Sequence, residues 1–239
     1  MTPPLFLVDE LPPGDVVVLD GAEGRHAARV KRIAVGETVL VGDGRGTVAE
    51  CVVDSVGTDA LSLRVTARRT VPEPDPRIVV VQALPKGDRA ELAVELLTEV
   101  GVDEIVPWAA RRSIVQWTGE RGVKARAKWQ RTAAEAAKQS RRTRVPHVAE
   151  PVGLADVTAR TGTVLVLHEA ATEPLSTTAL PGTGEIVLVV GPEGGVSDEE
   201  LAALTAAGAR PVRLGEMVLR TSTAGAAAVA ALSVRVGRW

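Results

Sequence analysis

Cysteine and aromatic residues are nearly missing from this chain of 239 residues. A single Cys51 excludes an internal disulfide framework and any cysteine-cluster metal site. Three scattered histidines do not supply one either, so no metal is expected. There is no Tyr, one Phe and four Trp, too few to build rows of stacking platforms for unpaired bases. The core must therefore be made of Val, Leu, Ile and Ala. No stretch reaches the roughly 18 apolar residues of a membrane span. The opening Met-Thr-Pro-Pro-Leu-Phe lacks the basic and apolar regions of a signal peptide. These absences predict a soluble, cytoplasmic protein. Motifs are missing too. No Gly-x-Gly-x-x-Gly opens a helix and no Walker A sequence occurs, which argues against dinucleotide enzymes and P-loop nucleotidases. Without a Gly-x-Ser-x-Gly elbow or a His-Glu-x-x-His pair, hydrolase readings lack support.

What is present is unevenly charged. The net charge is only −2, yet eleven Lys and Arg residues fall between Arg111 and Arg144, opposed there by Glu120 and Glu135 alone. That segment carries +9, which leaves −11 for the remainder. Such asymmetry points either to a polyanionic partner or to a solvated helix face.

Residues 1–70 read as all-β. Short runs rich in Val, Leu and Thr at 16–19, 38–41, 46–53 and 61–66 are separated by turn residues such as Gly42-Asp-Gly-Arg-Gly46. Their spacing predicts a small barrel. A helix is expected over 23–33, with Ala27, Val30 and Ile33 on one face. Three prolines within 71–76 then form a stiff linker. From residue 77 onward strands and helices alternate, which predicts a mostly parallel sheet covered on both faces. Asp88 and Glu91 are expected to cap a helix through Val100, with Leu92, Leu96 and Val100 inward and Gly101 ending it. A basic helix is expected over 122–142, with Trp129, Ala133, Ala136, Ala137 and Ser140 on one face. Ser197 with Glu200 forms a capping box closed by Gly208, and an Ala-rich helix is expected over 224–236.

In a parallel sheet, ligands bind beyond the carboxyl ends of the strands. Three loops should gather there: 168–170, Gly191-Pro-Glu-Gly-Gly195, and Leu214-Gly-Glu-Met-Val-Leu-Arg220. Glycine lets the backbone approach a ligand closely. Such an environment suits a ligand held by backbone hydrogen bonds, for example an adenine ring and its ribose.

Taken together, Gly191-Pro-Glu-Gly-Gly and Leu214-Gly-x-x-Val-Leu-Arg-Thr-x-Thr-Ala224 resemble the AdoMet-binding end of SPOUT methyltransferases, and more narrowly the RsmE family. Arg25-His-Ala-Ala-Arg-Val-Lys-Arg32, Leu84-Pro-Lys-Gly-Asp-Arg89, Thr98-Glu-Val-Gly-Val102, Arg111-Arg-Ser113 and Glu135-Ala-Ala-Lys-Gln-Ser-Arg-Arg142 match as well, so the resemblance spans nearly the whole chain. It implies a PUA-like β-barrel over 1–70, a linker over 71–76, and an α/β SPOUT domain with a deep trefoil knot over 77–239. It also implies a homodimer that uses S-adenosyl-L-methionine to methylate N3 of a uridine in 16S rRNA of the 30S subunit. Alternatives are a related enzyme acting on tRNA or another rRNA site, or a non-catalytic RNA-binding protein. Leu167, His168, Gly191, Glu193, Gly194, Gly195, Leu214, Gly215, Val218, Leu219 and Thr223 would bind the cofactor. Arg220 stands where the resemblance places an arginine, either as a donor to the developing uracil anion or as half of an interface ion pair. Glu193 is a base or a brace for its loop. Ser222 occupies a position where the close family pattern often has Glu, so a catalytic carboxylate is not expected there. RNA contacts are expected from Arg25, His26, Arg29, Lys31, Arg32, Lys86, Arg111, Arg112, Gln139, Ser140, Arg141, Arg142 and Arg144.

Overall fold

The structure is a computed structural model and describes residues 2–239. The chain forms two compact units. The first comprises the chain up to Glu73 together with Ala137–Val145, and the second comprises Pro74–Ala136 and Pro146–Trp239. The return of 137–145 to the first unit differs from the division at residue 76 expected from the prolines. A contiguous boundary reads only local stiffness, whereas membership of a unit is decided by packing.

The first unit is a five-stranded sheet of order β1-β3-β4-β5-β2, from β1 (Leu5–Leu7), β2 (Val16–Leu19), β3 (Thr38–Gly42), β4 (Thr47–Val56) and β5 (Leu61–Thr70). β1 pairs parallel with β3, and the remaining pairs are antiparallel. In β5 the side chains of Leu61 and Leu63 are buried while Arg64 is exposed, the alternation of a half-buried strand. Those side chains meet Phe6, Leu19, Val39, Val41 and Cys51 in one core. Burial pushes the Cys51 thiol up from its ordinary value, which leaves it an inert core residue. The expected helix is present but begins two residues earlier and is partly wider-wound. α1 (Gly21–Arg25) runs into a π-helical stretch over His26–Lys31. The π winding shifts the faces, so Ala27 and Ile33 are buried but Val30 is 67% exposed.

The second unit is a six-stranded sheet of order β11-β9-β10-β6-β7-β8, parallel throughout. Its strands are β6 (Arg77–Ala83), β7 (Glu104–Trp108), β8 (His147–Val148), β9 (Thr163–Leu167), β10 (Glu185–Val190) and β11 (Arg210–Val212). In β6, Ile78, Val79, Val80, Val81, Gln82 and Ala83 are all fully buried, as a central strand covered on both faces requires. Helices α2 (Arg89–Glu99), α3 (Gly119–Gln139), α4 (Leu154–Thr158), α5 (Asp198–Ala206) and α6 (Thr221–Arg235) complete the chain. At the amino ends of the strands, Arg77 bridges Glu104 and Glu185 while Arg238 pairs with Asp103. The charged clamp thus lies at the sheet edge opposite the expected ligand loops.

Several local expectations change. Asp88 precedes α2 but makes no capping side-chain bond, because its backbone is already helical rather than extended. The buried face of α2 is Ala93, Val94, Leu97 and Thr98, one step away from Leu92, Leu96 and Val100, and Leu92 is exposed. Spacing by four fits either face equally well, and packing chooses. α3 buries Trp129, Ala133, Ala136 and Ala137 as expected, but it ends at Gln139 with Ser140 exposed. The Ser197–Glu200 capping box is formed, and Gly208 follows α5 at φ +93°. α6 begins three residues earlier than expected, at Thr221. Its small residues Gly225, Ala226 and Ala228 are buried, with Gly225 against Leu97 and Val190 of the same chain.

In the first unit Asp43 accepts from the backbone N–H groups of Arg45 (2.7 Å) and Thr47 (3.0 Å), closing the turn into β4. Burial works to raise its carboxyl, but those hydrogen bonds outweigh it and hold the group below its ordinary value. Stability from this carboxylate is therefore present above the unfolded value near 3.8 and is lost as pH falls through the lower folded value. Asp43→Ala should lose about 1 kcal/mol at neutral pH by urea denaturation. The loss should shrink in strong acid.

Candidate functional site

Because β9, β10, β11 and β6 run parallel and adjacent, their carboxyl ends deliver three loops to one edge. There they enclose a cleft of about 670 Å³. Of the residues expected to bind cofactor, Leu167, His168, Gly191, Glu193, Gly194, Gly195, Leu214, Gly215, Val218 and Leu219 line it, as does Arg220. Thr223 does not. Its hydroxyl instead donates to the Arg220 carbonyl at 3.1 Å. Thr221 and Ala224 line the cleft in its place. The earlier start of α6 accounts for this shift.

The first glycine loop is a tight turn in which the Gly195 N–H donates to the Pro192 carbonyl at 2.9 Å, with Gly195 at φ +72°. A Cβ on Gly191 would lie 2.9 Å from the Val196 side chain, so the strand-to-turn corner has no room for one. The loop is braced from two sides. Arg112 Nη1 donates to the Gly194 carbonyl at 3.0 Å. The backbone N–H of Lys86 donates to Glu193 Oε1 at 3.2 Å. Glu193 therefore accepts a backbone N–H from another loop, and Arg112, read from sequence as an RNA contact, supports the glycine turn. Its placement starts with buried Glu200. That carboxylate accepts from the Arg111 N–H (2.7 Å), the Ser197 N–H (3.0 Å) and the Ser197 hydroxyl (2.8 Å). One carboxylate thereby caps α5 and anchors the segment carrying Arg112.

His168 Nδ1 accepts from the Ala170 N–H at 3.2 Å, which leaves Nε2 as the ring donor. In the second loop Met217 and Val218 are 85% and 76% exposed. Arg220 is exposed at the cleft, and among the described residues its guanidinium has no hydrogen bond or ion pair. Ser222 is buried and does not line the cleft. Four arginines (Arg89, Arg112, Arg213 and Arg220) and four carboxylates (Glu169, Glu193, Asp198 and Glu216) share the lining. A surface that offers both signs and open backbone suits a ligand that is itself zwitterionic. Arg89 and Thr221 lie inside the motifs quoted above but were not named as site residues; a first-turn position on a helix following a strand is the signal each carries.

The basic segment divides by partner. Arg126 donates to the Val148 and Ala149 carbonyls and pairs with Glu150, Lys128 pairs with Glu91, and Arg111 pairs with Glu199. Much of the charge run is thus committed within the second unit. The remaining expected RNA contacts concentrate in the first unit. Lys138 pairs with Glu23 of α1 at 2.7 Å, which draws 139–142 toward the stretch bearing Arg25, His26, Arg29 and Arg32. Some members are occupied. Arg29 pairs with Asp59, His26 sets its ring against Phe6, and Arg144 donates to the Val71 carbonyl. Arg32 and Arg141 are the two non-glycine residues at positive φ among those described, at +53° and +56°. Each follows the last turn of a helix. The Arg141 and Arg142 N–H groups return to the Lys138 and Ala137 carbonyls, the bonding of a Schellman motif with arginine where glycine is usual.

Comparison with known proteins agrees with this arrangement. Residues 72–233 match the family model described as RNA methyltransferase domain, and residues 19–66 match the one described as RNA methyltransferase PUA domain. The chain is 49% identical to ribosomal RNA small subunit methyltransferase E of Mycobacterium bovis over 98% of its length and 93% of the relative's. It is 30% identical to the protein of that name from Bacillus subtilis, covering 90% of this chain and 88% of that one. A crystal structure of ribosomal RNA small subunit methyltransferase E from Neisseria gonorrhoeae, bound to S-adenosyl methionine, superposes with a TM-score of 0.88. It is 30% identical and covers 98% of both chains.

Left-handed backbone costs a side-chain-bearing residue about 1 kcal/mol relative to glycine. Arg32→Gly and Arg141→Gly should each therefore leave stability unchanged or raise it by up to about that amount, measured by chemical denaturation.

Proposed function

We propose, from the premise that this chain belongs to the ribosomal RNA small subunit methyltransferase E family, that it transfers a methyl group from AdoMet to N3 of a uridine in 16S rRNA. The observation that carries the reading is the cleft at the carboxyl edge of the parallel sheet, where two glycine loops face each other and Arg220 stands unpaired.

The residues present fit AdoMet. Leu167, Leu214 and Leu219 offer apolar lining, Gly191, Gly194, Gly195 and Gly215 expose backbone, and the mixed charges suit an amino-acid tail. When bound, AdoMet supplies a methyl group already activated on a sulfonium. The chain's part is then to hold the uracil in line with that methyl and to favour its N3 anion. Arg220, with its guanidinium uncommitted, is assigned the donor to a uracil carbonyl, where charge grows as the N3 proton leaves. Ser222 is buried off the cleft and provides no base. His168 Nε2–H is a second donor at the rim.

In this reading the first unit carries an RNA-binding role through Arg25, Arg32, Gln139, Ser140, Arg141 and Arg142, with Lys86 near the cleft. Phosphate contacts of this kind position RNA and weaken with salt. Glycine at Arg32 or Arg141 would lower rRNA affinity without lowering stability, the opposite of a packing defect. The functional domains are read as 1–70 and 77–239, the second containing the knot. A threaded C-terminal segment is supported by the path from β11, at the sheet edge, back to Thr221 beside central Gln82 and Gly191. A homodimer is supported by the exposed apolar run Met217, Val218 and Leu219 at the cleft mouth. Among the described residues no helix is long and apolar enough to cross a membrane. A cytoplasmic location is read from the proposed work on ribosomal subunits.

Purified 30S particles and tRNA offered side by side with labelled AdoMet should show methylation of 30S rRNA alone; label appearing in tRNA instead would reject the substrate. Arg220→Ala should reduce the rate by about 10²-fold or more, as loss of a donor to a developing anion does. Its AdoMet dissociation constant, measured by calorimetry, should stay within about twofold, since Arg220 is assigned to the uracil and the glycine loops are unchanged.

A further inference from the structure

Beyond Arg77 at its start, the central strand of the larger sheet carries one polar side chain. In β6, Ile78-Val-Val-Val-Gln-Ala83, every neighbour of Gln82 is apolar, and Gln82 is itself 0% exposed. It pairs in register with Val190, the residue immediately before the first glycine loop. Its Nε2 donates to the Ala83 carbonyl at 3.1 Å and to Thr221 Oγ1 at 3.1 Å. Thr221 Oγ1 in turn donates to the Gly191 carbonyl at 2.7 Å. The polarity of this chain of bonds is forced. Ala83 offers a carbonyl, so the amide must present its NH₂ there, and the threonine hydroxyl then has one proton left, for Gly191.

We propose that Gln82 is a positioning residue for the AdoMet cradle, acting through Thr221 to fix the distance between the two glycine loops. Gly191 opens the first loop, and Thr221 is the first helical residue after the second. Both line the cleft, whereas Gln82 does not. The relay therefore joins the two walls of the cradle from behind, anchored to the most buried strand of the unit. Two observations support a functional purpose over a structural one. Gln82 Oε1 is buried and, among the described residues, has no hydrogen-bond partner, an arrangement that opposes stability. An apolar side chain of similar size would remove that penalty. In addition, a Cβ on Gly225 would approach Leu97, Val190 and Gln82 Oε1 at 3.2, 3.3 and 3.4 Å, so the first turn of α6 is held close to the relay by a residue with no side chain. Close approach brings the Thr221 hydroxyl within reach of Gln82 and Gly191 at once.

The proposal rests on the cleft being the AdoMet site, and the wild-type protein tests that separately. AdoMet affinity is measured by calorimetry, and thermal unfolding is measured on the cofactor-free protein, for wild type, Gln82→Leu, Thr221→Val, Thr221→Ser and the Gln82→Leu/Thr221→Val double variant. Gln82→Leu should weaken AdoMet binding by about tenfold, the equivalent of one net hydrogen bond. Its cofactor-free unfolding temperature should hold or rise. Thr221→Ser keeps the hydroxyl and should bind like wild type. Thr221→Val should bind like Gln82→Leu, and the double variant should be no weaker than either single one, since both break the same relay. Wild-type affinity in Gln82→Leu, additive losses in the double variant, or equal losses in Thr221→Ser and Thr221→Val would each overturn the relay. So would a fall in cofactor-free stability that matches the loss of binding. If Gln82→Leu does not fold, the two Thr221 variants decide. Failure of the wild type to bind AdoMet would instead reject the assignment of the cleft, and the relay's role with it.

Discussion

All six strands of the larger sheet point the same way, so every loop that follows a strand must emerge at one edge. This single directional constraint makes the site possible. It brings together the separate segments 168–170, 191–195 and 214–220 without any of them needing to attract the others. It also separates two tasks. At the amino ends, where backbone N–H groups begin each strand, Arg77, Glu104, Glu185, Asp103 and Arg238 form a charged clamp. At the carboxyl ends Arg220 is left uncommitted among the described residues, and backbone is bared by glycine.

Charge in this protein works in two ways that composition does not distinguish. Arg126, Arg111 and Lys128 answer carboxylates or carbonyls of their own unit, and Arg112 steadies a turn that has no side chains with which to steady itself. Arg32 and Arg141 are different. Their side chains stand at helix ends in a backbone conformation that favours glycine. Packing does not ask for arginine at such positions, which is why the proposed RNA contacts are assigned to them.

Much of this was legible in the order of residues. The continuous apolar run of β6, the Ser197–Glu200 box, the glycine stops at 101 and 208 and the glycine-rich loops are strong local signals, and each is present. What escaped depends on contacts distant in sequence. The inward face of α2 is set by what α6 and the sheet bring against it, and a spacing of four admits two answers. The π winding after Arg25 moves Val30 outward, which no pattern built on 3.6 residues per turn can show. Within the site, the glycine loops were readable because glycine is the constraint. Gln82 and Thr221 were not, since a glutamine in a strand and a threonine at a helix start mean little until they are found 3.1 Å apart across 139 residues.

The nine residues 137–145 pack with the N-terminal unit although the chain has already built a helix of the other. Arg45 and Arg144 form a β-bridge, and the Val145 N–H reaches the Gly44 carbonyl. The N-terminal unit is therefore discontinuous in the gene. Recombination between relatives at the proline linker would exchange most of that unit but leave its last strand-like piece behind, mismatched to a foreign sheet. Evolution can shuffle this module only by making two cuts at once, so the two units are expected to share one line of descent rather than to have been traded separately.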